Sequence, residues 1–82
     1  MNWLEFSFLV NYDIVFEYKS TYYNIVFEDS EVILYKAPGV RLASEAIEEK
    51  NKILEYQFDG KLSLEEVLLS NGVKLIDFIE ET

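Results

Sequence analysis

The sequence predicts an α+β fold, a two-layer sandwich with helices on one face of a short antiparallel sheet. Three observations carry that prediction. Residues 14–36 contain three short runs dense in β-branched and aromatic residues, with apolar and polar positions alternating; that pattern suits half-buried strands. Only Ser20-Thr21 and Asp29-Ser30 separate the runs, which is hairpin spacing and makes the sheet a meander. Two segments outside the meander open with capping-box patterns, which start helices. Together with a C-terminal strand they give the order α-β-β-β-α-α-β in one domain spanning residues 1–82.

The first element carries two patterns. Asn2 followed by Glu5 fits a capping box and favours a helix from Trp3, which places Trp3, Phe6 and Val10 on one face. The competing pattern alternates Phe6, Phe8, Val10 and Tyr12 against Glu5, Ser7, Leu9 and Asn11. The first strand, Ile14 to Lys19, directs Ile14, Phe16 and Tyr18 to one side. The second, Tyr22 to Glu28, does the same with Tyr23, Ile25 and Phe27. Glu31 to Lys36 is the third, and Ala37-Pro38-Gly39 breaks the pattern after it.

Residues 43–50 predict a short helix with Ser44 as N-cap and Glu45, Glu48 and Glu49 near its positive end. Asp59-Gly60 predicts a turn. Ser63-Leu64-Glu65-Glu66 opens a further helix through Leu69, and Asn71-Gly72 stops it. Val73 to Glu80 reads as the final strand.

Composition limits the functions available. Half of the 82 residues are hydrophobic and 16% are aromatic, far too apolar for a disordered chain. A domain of this size buries only about 60–65% of its unfolded surface. Some apolar surface therefore stays exposed, and large exposed apolar patches mark interfaces. Self-association, as a homodimer, or a protein partner is expected.

Sixteen acids against seven bases give a net charge of −9, with −4 on residues 1–36 and −5 on residues 37–82. That charge repels phosphate backbones and anionic lipid, so neither direct nucleic-acid binding nor membrane binding is expected. The longest apolar runs, such as Val32 to Tyr35, fall far short of the roughly 20 residues that span a bilayer. Met1 to Glu5 lacks the basic start of a signal peptide. The chain has no cysteine, which excludes a disulfide scaffold. A cytoplasmic location is expected.

The stretch Asp13-Ile14-Val15-Phe16-Glu17-Tyr18-Lys19, followed by Tyr22-Tyr23-Asn24-Ile25, resembles the first hairpin of small uncharacterised acidic α+β proteins of Gram-positive bacteria and their phages. Phe58 to Glu66 is similar to their loop-into-helix segment, with Leu62 intruding between Lys61 and Ser63. The resemblance implies the α+β fold and a bacterial or phage setting. It implies no functional residue.

No catalytic, cofactor-binding or metal-binding residue is expected. There is no histidine and no cysteine, the residues behind most nucleophilic, acid–base and transition-metal chemistry near neutral pH. The carboxylate groups Glu28/Asp29/Glu31, Glu48/Glu49, Glu65/Glu66 and Glu80/Glu81 follow no calcium-loop pattern. Glycoside hydrolysis needs two carboxylates across a cleft, for which so small a domain has little room. No lysine sits in a phosphate-binding glycine loop. A serine nucleophile without histidine needs a lysine base, and nothing marks such a pair.

The tyrosines are the candidates that remain. Tyrosine couples apolar area to a hydrogen-bonding tip and is enriched at interfaces. Adjacent strand residues face opposite ways, so Tyr22 and Tyr23 cannot both be core. Tyr18, Tyr22 and Tyr35 form the candidate interaction surface. The expected function is a non-enzymatic protein-interaction module working through an aromatic sheet face or an edge strand. The alternative is an acidic nucleic-acid mimic that inhibits a DNA- or RNA-binding protein.

Overall fold

A computed structural model describes residues 1–77. Asn2 and Glu5 complete a capping box, each side chain bonding the other's backbone N–H (Glu5 N to Asn2 Oδ1 2.8 Å, Asn2 N to Glu5 Oε1 3.1 Å). This starts helix α1, Trp3–Leu9. Leu4, Ser7 and Phe8 are its buried side chains. Phe6 and Val10, expected to share a face with Trp3, instead point to solvent, while Trp3 packs beside the core.

Strands β1 (Ile14–Tyr18), β2 (Thr21–Phe27) and β3 (Glu31–Lys36) form the expected meander. The first turn is Lys19-Ser20, one residue earlier than the polar break in the sequence. Both residues have positive φ, 50° and 65°, the geometry that matches the twist of a two-residue hairpin. Asp13 Oδ1 accepts a hydrogen bond from the N–H of Phe27 at 2.9 Å and ties the start of β1 to the end of β2.

A fourth strand, β4 (Val40–Ala46), follows the Pro38 turn and pairs with β3. This corrects the helix expected over residues 43–50. Ser44 is no N-cap; it lies opposite Ile33 in the ladder. The helix signals belong to the next segment, Ile47–Glu55, which is 3₁₀ helix with a kink at Glu49. The N–H of Ile47 bonds the Ser30 carbonyl at 3.0 Å, and Ala46 supplies no side-chain cap.

The Asp59-Gly60 turn joins two very short strands, β5 (Gln57–Asp59) and β6 (Leu62–Ser63), with Gly60 at φ +59°. Ser63 and Glu66 complete a second capping box and open α2, Leu64–Leu68. Strand β7, Val73–Asp77, pairs antiparallel with β1; its expected extension over residues 78–80 lies outside the described residues. The main sheet therefore runs β4-β3-β2-β1-β7. This is the α+β meander plus C-terminal strand expected from the sequence, with one strand and one small hairpin more.

The core lies on one face of that sheet. Ile14, Phe16, Tyr18, Ile25, Val32 and Leu34 meet Leu4 and Phe8 of α1, Ile53 of the 3₁₀ segment, and Leu64, Val67 and Leu68 of α2. Phe8 meets Phe27 edge-on at 4.9 Å, and Phe58 of β5 packs against Phe16, Tyr18 and Tyr23. No helix among the described residues is long and apolar enough to cross a membrane.

Candidate functional site

Two surfaces carry exposed apolar side chains. The first is the sheet face away from the helices. Because β1 pairs Glu17 with Tyr22, and β3 pairs Tyr35 with Asn24, strand parity puts Glu17, Tyr22, Asn24 and Tyr35 on that face. Tyr22 is exposed and Tyr35 half-buried, and they are diagonal neighbours across β2 and β3. Ile33 on the same face is buried, and Ile76 of β7 is exposed.

Tyr18 does not join them. It lies on the helix-covered face, where it is only 8% exposed, and donates from its hydroxyl to Asp59 Oδ2 at 2.6 Å. Lys19 reaches the same oxygen at 2.9 Å. These two donors hold the Asp59 carboxyl below its ordinary range, against a smaller opposing effect of burial. The tyrosine hydroxyl is pushed up because it donates to the carboxylate, and the lysine rises for the same reason. The cluster locks the β5–β6 hairpin onto β1. Its tyrosine is therefore a structural residue, and the tyrosine candidate surface reduces to Tyr22 and Tyr35.

The second surface was not foreseen. Among the described residues, ten large hydrophobic side chains are exposed, and five of them lie in residues 1–12: Met1, Phe6, Leu9, Val10 and Tyr12. Phe6, Leu9 and Val10 follow the i, i+3, i+4 spacing of one helix face. The opposite face, Leu4, Ser7 and Phe8, has the same spacing and is buried. Helix α1 is thus apolar on both sides, and its inward polar residue, Ser7, has a buried hydroxyl without a hydrogen-bond partner. A helix facing water on one side ordinarily shows the reverse arrangement.

Beside this face runs an open groove of about 440 Å³ between α1 and the 3₁₀ segment, lined by Leu4, Phe8, Leu9 and Leu54 and by Glu5, Glu55, Glu65 and Lys50. Lys50 stands on its rim and donates to Asn11 Oδ1, tying the end of α1 to the 3₁₀ segment.

The β4 edge of the sheet differs from these faces. β4 is interrupted by an irregularity between Leu34 and Tyr35 on its partner, and Arg41 bonds Glu31 at 2.7 Å across it. Bulges and charges of this kind discourage strand addition. Glu49 and Lys52 pair at 3.0 Å nearby. Among the described residues, no group of three acids is placed to hold a metal ion.

No family model, curated protein or solved structure matches this chain.

Proposed function

We propose that this chain is a non-enzymatic protein-interaction module acting in the cytoplasm of a bacterial or phage-infected cell. The observation that carries this reading is the outward face of α1. Phe6, Leu9 and Val10 stand exposed there while a serine occupies the core side. These side chains are still about half exposed, so leaving them in water forgoes roughly 1–1.5 kcal/mol for each that a partner would fully bury. The exposed Tyr22 and half-buried Tyr35 offer a smaller contact on the sheet.

The nucleic-acid-mimic reading needs carboxylates left unpaired along one surface. The acids at the β2–β3 turn and at the start of the 3₁₀ segment are partly neutralised, Glu31 by Arg41 and Glu49 by Lys52. That weighs against mimicry.

Salt separates the two readings. Native complexes of the purified protein, whether with itself or with another chain, are captured by cross-linking at about 0.05 M and 0.5 M salt. A protein complex that persists at high salt and is lost in the Phe6→Glu variant supports the module. A complex that dissolves at high salt and is unaffected by Phe6→Glu overturns it in favour of charge mimicry. The absence of any protein complex overturns it outright.

A further inference from the structure

We propose that Asn71 is a site of spontaneous covalent modification, where the chain converts to isoaspartate and β7 loosens from β1. The proposal does not depend on the interaction reading above. Asparagine is a labile residue, because the next backbone nitrogen can attack its side-chain carbonyl. A glycine in that next position makes the attack easiest, since no Cβ crowds the nitrogen and the backbone turns freely. Of the five asparagines, only Asn71 precedes a glycine. One other dipeptide could close the same ring, Asp59-Gly60.

The two turns are held differently. Asp59 Oδ2 accepts hydrogen bonds from the Tyr18 hydroxyl at 2.6 Å and from Lys19 at 2.9 Å. Those donors keep it ionised, and a carboxylate is a poor target for a nucleophile. Asn71 and Gly72 are exposed, in the turn that joins α2 to β7. The Asn71 amide has no hydrogen-bond partner among the described residues. Its side chain is therefore free to rotate toward the Gly72 nitrogen. The Gly72 N–H donates to Ser70 Oγ at 3.2 Å, the long end of the ordinary range.

The step needs only water. The Gly72 nitrogen bonds to Asn71 Cγ, the Cγ–Nδ2 bond breaks, and the leaving group takes the Gly72 proton to depart as ammonia. Water then opens the resulting cyclic imide. Cleavage at the Asn71 backbone carbonyl gives isoaspartate, in which the chain runs through Cγ; cleavage at Cγ gives aspartate. Nothing is oxidised or reduced. Isoaspartate adds one carbon to the backbone just ahead of β7, with a carboxylate beside it. Val73 begins β7 and lies opposite Tyr18, and a Cβ placed on Gly72 would sit 3.6 Å from that tyrosine ring. A longer and more acidic lead into Val73 pulls β7 off this register, which sets the side chains that reach the core. The edge of β1 that β7 covers is then open.

The test follows the whole purified chain over time at mildly alkaline pH. Peptide mass mapping should show NH₂ exchanged for OH at residue 71 and at none of the other asparagines. A protein isoaspartate methyltransferase should label the same peptide. Gly72→Ala should slow the conversion at least about tenfold, the effect of about 1.4 kcal/mol of added barrier. A Cβ at Gly72 meets only ordinary contacts, so that variant should melt like the wild type. The converted form carries one more negative charge and separates on anion exchange. In it, amide hydrogen exchange should quicken several-fold in β7 and stay as it was in β3 and β4. Three results overturn the proposal. A folded chain that stays unconverted at residue 71, whatever happens in urea, removes the site. Conversion as fast in Gly72→Ala as in the wild type means that the Gly72 nitrogen is not the attacking group. Equal exchange of β7 in the two forms means that the modification leaves the sheet intact.

Discussion

Helices α1 and α2 begin alike and end up differently. Each is short, and each is opened by a complete capping box, Asn2 with Glu5 and Ser63 with Glu66. α2 buries Leu64, Val67 and Leu68 and turns Glu65 and Glu66 to water. α1 buries Leu4, Ser7 and Phe8 and turns Phe6 and Leu9 to water. The caps set where each helix starts but say nothing about what its outer face is for. The second helix leaves only its C-cap residue, Leu69, exposed among its large apolar side chains. The first leaves an apolar face exposed.

The comparison breaks most readily at the inward aromatic of α1. Phe8→Ala should cost about 3–5 kcal/mol in urea unfolding, since the ring is 3% exposed and packed on Phe27. Phe6→Ala, one position away, should stay within about 0.5 kcal/mol for the dilute protein. Equal losses would mean that the two faces of α1 have been assigned wrongly.

The caps give the next effect. Ser63→Ala and Asn2→Ala should each cost about 1 kcal/mol, read from the shift in denaturation midpoint. A loss at Ser63 alone would show that α1 contributes little to the stability of the free chain. Ser7→Ala sharpens the contrast with an effect of opposite sign. It removes a buried hydroxyl that has no partner, so stability should be unchanged or rise by up to about 1 kcal/mol. A clear destabilisation would reveal a hydrogen bond to that hydroxyl.

The smallest effect is at the hairpin that leads into α2. Asp59 is held below the ordinary carboxylate range by Tyr18 and Lys19. Its stabilising contribution is therefore present above that range and disappears as pH falls through its lowered native value. Asp59→Asn should be less stable than the wild type near pH 6, and the gap should start to narrow near about pH 4 and close only as pH falls below the lowered native value. A gap that persists in acid would mean the charge of Asp59 is not what anchors the hairpin.

Much of this was legible in the residues. Both capping boxes are local patterns, complete within four positions, and each formed where the spacing placed it. The three meander strands followed from alternation, which survives because one face is buried and the other is not. β4 escaped because the ladder irregularity opposite Leu34/Tyr35 breaks the alternation of its seven residues. Arg41 and Glu45 are tolerated at an edge, while Ser44 with its neighbouring glutamates imitates a helix start. β5 and β6, three and two residues long, are below the length at which period means anything.

For the candidate surface, Tyr22 facing away from Tyr23 followed from strand parity. The same parity groups Tyr18 with Phe16 on the core face, so its burial is legible in the strand pattern. The outward face of α1 was not readable. In seven residues apolar on nearly every side, spacing alone cannot say which three turn inward; tertiary packing such as Phe8 against Phe27 decides it.

The order of the strands has a consequence for synthesis. β1 to β4 each pair with their neighbour in sequence, so residues 14–46 can assemble as soon as they emerge. The outer edge of β1 must wait for β7, with Tyr18 pairing to Val73. Val73 follows Tyr18 by 55 residues, so at about 5–20 residues per second that wait is roughly three to eleven seconds. Throughout it, the backbone N–H and C=O groups of β1 stand open on a growing chain, ready to template any strand that drifts past. The surplus of negative charge, already present on residues 1–36, keeps neighbouring nascent chains apart during that interval.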